Sequence, residues 1–140
     1  MKKVIILFVF SPIISFSQTY YDSALSFQNE VRNYYDLKPL EYDSSLSLHA
    51  QEWADYIAET DDFKVSDDDF GESIFSIQKI YCYSRNKNPY LEASINWIID
   101  TDDSNTLNQI LYEDVKRVGF GLAENHNYIY VVAKYDKLWK

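Results

Sequence analysis

Asp67-Asp68-Asp69-Phe70-Gly71-Glu72-Ser73 contains the first of only three glycines in a chain of 140 residues, and it follows two helical segments and precedes everything else. Glycine is expected where φ must be positive or where two backbones must approach closely, so a residue this rare is informative wherever it falls. We read Gly71 as a turn that sets the direction of Glu72. The competing reading is a surface turn beside a solvated glutamate.

Immediately upstream, Phe63-Lys64-Val65 reads as a short strand, and Asp61-Asp62 with Asp67-Asp68-Asp69 as an acidic rim. The aspartates do not make a calcium loop, because the glycine comes too early and no glutamate closes the run. Asp43-Ser44-Ser45 opens the second helix, whose apolar stripe is Leu46, Ala50, Trp53, Ala54 and Ile57, wide enough to pack on a sheet. Pro39-Leu40-Glu41-Tyr42 is an extended connector. The first helix is expected from Asp22 to Asp36, capped by Asp22 or Ser23, with Ala24, Phe27, Val31 and Tyr34-Tyr35 on one face. Pro39 ends it by excluding helical geometry from the residue before it.

Residues 1–17 have the pattern of a secretory signal. Lys2-Lys3 supply the positive start, Val4 to Phe10 the apolar run and Ser15-Phe16-Ser17 a small-x-small cleavage site ahead of Gln18. The run is short of the ~20 apolar residues that a membrane span needs, and no second one follows. A single domain over 18–140 that is secreted, extracellular or periplasmic, is the expectation.

Downstream, Ile74 to Tyr83 suits a strand followed by an irregular segment. Pro89 opens a third helix through Asp100, with Leu91, Ile95 and Ile98 on one face and Trp97 beside them. Thr101-Asp102-Asp103-Ser104 precedes a short helical turn carrying Leu107, Ile110 and Leu111. Val118, Phe120 and Leu122 then alternate with Gly119, Gly121 and Ala123, giving a strand with one bulky face and one nearly bare face. Tyr128 to Tyr135 pairs with it as a hairpin.

The formal charge of -9 argues against nucleic acid or an anionic membrane as a partner. Cys82, the only cysteine, lies among Ile80, Tyr81 and Tyr83 and reads as a buried thiol rather than a nucleophile, with no histidine adjacent. His49 borders the apolar stripe of the second helix, and His126 sits in a turn. They offer no catalytic pair.

Several of these pieces, in this order, resemble the CAP superfamily, the secreted SCP domain of pathogenesis-related plant proteins, venom antigens and bacterial exported proteins. Asn29-Glu30-Val31-Arg32 is similar to the family's N-x-x-R. Leu40-Glu41-Tyr42-Asp43 with Leu46, Ala50 and Trp53-Ala54 is similar to its next conserved stretch. Phe70-Gly71-Glu72-Ser73 stands where the family has G-E-N, and Trp97 matches the third-helix tryptophan. Asn105 to Leu111, followed by Val118-Gly119-Phe120-Gly121, resembles the bacterial form. The resemblance implies an α+β fold, a three-layer α-β-α sandwich with helices flanking a small, mostly antiparallel sheet. The amphipathic helices and glycine-faced hairpin independently agree with it.

Many CAP domains line a cleft with two histidines and two acids that can hold a divalent metal. The resemblance carries Glu72 to the first acid and Asp100 to the second, but it puts Val65 and Thr106 at the two histidine positions. Two carboxylates and a hydroxyl make a poor zinc site, and the best neutral-pH base is lost with the imidazoles. No metal, cofactor or catalytic residue is therefore expected. The leading reading is a non-catalytic binding or interaction module with a cleft around Glu72, Asp100, Thr106 and Gln109. The resemblance implies a lipid, sterol or cell-envelope component as ligand, or a protein partner. The alternatives are a hydrolase using the Glu72/Asp100 pair and a decayed cleft with only a structural role.

Overall fold

The computed structural model describes residues 16–100 and 102–140. The leader expected over residues 1–17 lies outside them apart from its last two positions, as does Thr101. The elements run α1 (Phe16–Tyr34), β1 (Glu41–Tyr42), α2 (Ser44–Thr60), β2 (Gly71–Gln78), α3 (Lys79–Ser84), α4 (Pro89–Ile99), α5 (Ser104–Leu111), β3 (Arg117–Glu124) and β4 (Tyr128–Tyr135). The sheet order is β1-β3-β4-β2, with β1 parallel to β3 and the remaining pairs antiparallel. The last strand in sequence is thus interior to the sheet, between the hairpin partner β3 and the edge strand β2.

The period of two along β4 sorts its side chains onto two cores. Val131, Ala133 and Tyr135 join Val118 and Phe120 of β3 against Ala24 of α1, Tyr90, Ala93 and Trp97 of α4 and Ile110 of α5. Tyr130 and Val132 face the other way and meet Ala50, Ala54 and Ile57 of α2. Helices therefore cover both faces, the α-β-α sandwich that the alternating pattern of bulky and bare residues foretells.

Glycine decides how closely α2 lies on the sheet. A Cβ on Gly119 would fall 2.1 Å from the Ser47 backbone nitrogen, and one on Gly121 would fall 2.4 Å from the backbone of Ala50 and Gln51. No ordinary side chain fits there. The closeness lets α2 bond the outer edge of β3 directly: Ser47 Oγ accepts from Phe120 N at 3.0 Å, and Gln51 accepts from Leu122 N at 3.1 Å and donates to Leu122 O at 2.6 Å.

Local signals set the helix ends. Asp43 caps α2 by accepting from Leu46 N, and Asp61 closes it in the left-handed region at φ 56. Asn88 accepts from Tyr90 N and Leu91 N ahead of Pro89, and Asp103 accepts from Asn105 N at the head of α5. The Asn29 side chain exchanges two bonds with Leu40, 2.7 Å from its N–H and 3.1 Å to its carbonyl. Arg32, 1% exposed, donates to the carbonyls of Lys38, Ile110, Tyr112 and Val115. The resemblance motif Asn29 to Arg32 is thus a clamp that ties α1 to β1 and to the loop entering β3. Burial lowers the Arg32 pKa from its ordinary value.

The structure corrects four local expectations. Helix α1 starts at Phe16, so Asp22 and Ser23 lie inside it and cap nothing; no glycine or proline from Phe16 to Tyr34 interrupts the helix. Phe63-Lys64-Val65 carries no strand. The segment after β2 is helical, as α3, and buries Cys82, whose thiol donates to Lys87 O at 3.3 Å and whose pKa burial pushes up. Gly71 is the first residue of β2 and not a turn, and its φ is not positive. It is glycine for the second reason, close approach: an added Cβ would meet the Gln109 side-chain amide at 2.5 Å.

Candidate functional site

Strand β2 is an edge, and along it from Glu72 to Ser76 runs a cleft of about 770 Å³. Its far wall comes from the end of α4 and the start of α5, and its rim from Phe63, Val65, Leu138 and Trp139. Glu72, Asp100, Thr106 and Gln109 all line it. The four residues singled out from the sequence are therefore brought together, yet each already has a partner within the protein.

Glu72 lies directly across the ladder from Lys134 of β4. The Lys134 side chain is 1% exposed and that of Glu72 5%, and the ammonium pairs with both Glu72 Oε1 and Asp68 Oδ2. Ser66 completes the cluster, donating from its N–H to Glu72 Oε2 at 2.8 Å and from its hydroxyl to Oε1 at 2.5 Å. Both oxygens of Glu72 are thus occupied. For Asp68, burial alone raises the pKa, but the Lys134 bond and charge, the Phe70 N–H and Ser66 outweigh it, and the net direction is down. Lys134, which pairs with the cleft residue Glu72, is a residue that sequence reasoning missed. The available signal was a lone lysine inside an otherwise apolar strand, where burial demands a partner.

The Thr106 hydroxyl donates to Trp97 O at 2.7 Å and so closes the end of α4. Gln109 is fully committed as a latch: its Nε2 donates to Lys137 O at 2.8 Å and its Oε1 accepts from Trp139 N at 3.0 Å. Asp100 accepts from Asp102 N at 3.0 Å in a turn after α4. Trp97 donates from its indole to Ile74 O at 3.0 Å, covering the middle of the β2 edge. One group in the cleft wall is left over. Ser73, 2% exposed, has a buried Oγ with no hydrogen-bond partner among the described residues.

His49 is exposed and lies against the Phe70 ring, 5.4 Å between centroids, and His126 is exposed in the turn before β4. Neither lines the cleft. Among the described residues, no three of His, Cys, Asp and Glu gather as a metal-binding group. With Val65 and Thr106 in the walls and an ammonium ion already on Glu72, the donor set does not fit the zinc ion that the resemblance implies.

A first helix clamped by Asn29 and Arg32, a Gly-Glu pair opening an edge strand and a glycine-faced hairpin under α2 lie along one stretch that a family profile covers. The profile described as CAP, cysteine-rich secretory protein family, matches residues 25–135. The chain belongs to this family. Solved CAP structures share the fold. The crystal structure of MpPR-1i is 19% identical, with 88% of this chain and 90% of that chain covered and a TM-score of 0.65. NaASP2 with Zn2+ is 16% identical, with 83% and 78% covered and a TM-score of 0.66. An outer surface protein from Borrelia burgdorferi is 15% identical, with 86% and 95% covered and a TM-score of 0.56. At such identities the likeness is one of fold alone. No curated protein sequence matches the chain.

Proposed function

We propose that this CAP domain is an exported, non-catalytic binding module whose cleft beside Glu72 receives a ligand. The observation that carries the reading is the engagement of Glu72: Lys134 and Ser66 take both carboxylate oxygens, so neither is directed at a reacting atom. A carboxylate-pair hydrolase needs one carboxyl to give a proton and the other to attack or activate water. Asp100 alone does not supply both. The walls are held in place by side chains bonded to backbone, Thr106 to Trp97 and Gln109 to the C-terminal segment, which is the preorganisation that a binding site uses. Export rests on the leader pattern of residues 1–17, and the mature chain is expected to begin at Gln18.

The test is extraction of the protein purified from its native medium, followed by mass spectrometry of what it carries. A co-purifying small molecule in near-stoichiometric amount is the expected result. Turnover of an ester, glycoside or peptide substrate that disappears in Glu72→Gln would overturn the non-catalytic reading.

A further inference from the structure

We infer that the cleft takes an extended peptide segment of a partner protein, added along the β2 edge as a short strand, with basic and apolar side chains in alternation. This rests on the binding-module reading above and names the class of its ligand.

The main chain of the edge carries the argument. In an antiparallel ladder the N–H and C=O of one residue point to the same side, and the side alternates from residue to residue. Lys79, directly after β2, donates its N–H to Asn127 O on the β4 side. The odd residues of β2 therefore face β4, and Glu72, Ile74 and Ser76 turn their main-chain groups outward, along the cleft. The Trp97 bond to Ile74 O comes from that outer side and agrees with this parity. Among the described residues, nothing else bonds the outward N–H and C=O groups of these three residues. Glu72 is half-buried although its side chain is only 5% exposed, so what it shows to solvent is mainly main chain. The strand itself carries no edge device: Gly71–Gln78 holds no proline, no lysine and no bulge, and its one charged side chain is turned onto Lys134.

Unbonded N–H and C=O groups at strand spacing are matched by another extended main chain, as in strand addition to an open edge. The cleft sets the kind and length of that chain. Because β2 is recessed between the α4–α5 wall and the rim at Phe63 and Val65, a flexible segment reaches it where the edge of a second folded copy does not. Trp97 interrupts the edge at Ile74, which keeps the added strand to a few residues and stops open-ended pairing. Side chains of an added strand alternate between the two walls. One wall presents Asp100 and Asp103, whose carboxylates meet only the N–H groups of Asp102 and Asn105 among the described residues, and suits a basic side chain. The Lys134 ammonium does not offset them, being taken up by Glu72 and Asp68. The other wall presents Phe63 and Val65, 48% and 55% exposed, and suits an apolar one.

The experiment titrates the exported protein with fluorescent, end-blocked octapeptides: alternating lysine and valine, alternating glutamate and valine, and the lysine–valine peptide with its main-chain N–H groups methylated. Binding of the unmethylated lysine–valine peptide is expected, at least about tenfold tighter than that of the methylated one, with slowed amide hydrogen exchange at Glu72 and Ile74. Asp100→Asn with Asp103→Asn keeps both backbone bonds and the α5 cap, and is expected to weaken this peptide roughly fivefold without lowering Tm. Equal binding of the methylated peptide, or unchanged exchange at Glu72 and Ile74, overturns strand addition. Equal binding of the glutamate–valine peptide overturns the assignment of the walls. If all three peptides are silent and the native extract holds a non-peptide molecule, the peptide class is overturned while the binding module stands. Dimers that protect the same amides without peptide give the edge to a second copy and overturn the partner assigned here. If nothing binds and the native extract is empty, the binding reading itself fails.

Discussion

The two edges of the sheet are finished in opposite ways. Beyond the two residues of β1, the β3 edge is closed by α2, whose Ser47 and Gln51 bond Phe120 and Leu122 because Gly119 and Gly121 let the helix backbone come down onto the strand. Among the described residues, the β2 edge is covered by the Trp97 indole on Ile74 and the Gln109 amide at Gly71, and is lined by the cleft from Glu72 to Ser76. An exposed edge invites pairing with other chains, so each must be managed. One edge is managed by packing and has no room for a ligand; the other is managed by side chains and has room.

The contrast can be broken most severely at Lys134. Lys134→Met leaves Glu72 buried without its cation, and a loss of about 3–5 kcal/mol in urea unfolding is expected; the double variant with Glu72→Gln should recover most of it. Gly121→Ala attacks the packed edge, where backbone meets backbone, and is expected to cost about 3 kcal/mol, at the upper end for overpacking. Gln51→Ala removes both bonds to Leu122 and should cost about 1–3 kcal/mol. Asp68 sharpens the comparison through pH. Its pKa is lowered in the folded chain, so its stabilisation is present above the unfolded value, about 3.9, and is lost as pH falls through the folded value. The stability gap between the native protein and Asp68→Asn should therefore be full at neutral pH and shrink below about pH 4, measured by urea midpoints. Gly71→Ala pushes the Gln109 amide off Lys137 and Trp139 and is expected to cost about 1–2 kcal/mol, less than Gly121→Ala because the far end of a side chain rather than backbone must move. A Gly71→Ala loss as large as that of Gly121→Ala would erase the distinction between the edges.

How much of this was legible follows the range of the interactions. The α2 stripe, the helix start at Asp43-Ser44-Ser45, Pro89 at the start of α4 and the alternation from Val118 to Ala123 are short-period signals, and the structure uses each as the sequence suggests. Glu72 stood out because of its glycine, but its ion pair did not: Lys134 lies 62 positions away, and it faces Glu72 only in the β2–β4 register, which no local pattern encodes. Gly71 reads as a turn residue because local sequence cannot separate a glycine that frees φ from one that makes room, and the neighbour needing room, Gln109, is 38 positions on. The cleft residues Asp100, Thr106 and Gln109 came from family resemblance, whereas the orphaned Ser73 hydroxyl became visible only from burial.

The interior place of β4 has a consequence for how the chain is made. Until residues 128–135 have emerged, β2 has no strand to pair with, β3 lacks its hairpin partner, and neither hydrophobic core can close. A growing chain thus stays uncommitted until residue 135 has emerged and then folds with the earlier elements already waiting, through contacts of long sequence separation that slow folding. A stop before residue 128 is then not a trimmed domain but an unfolded one.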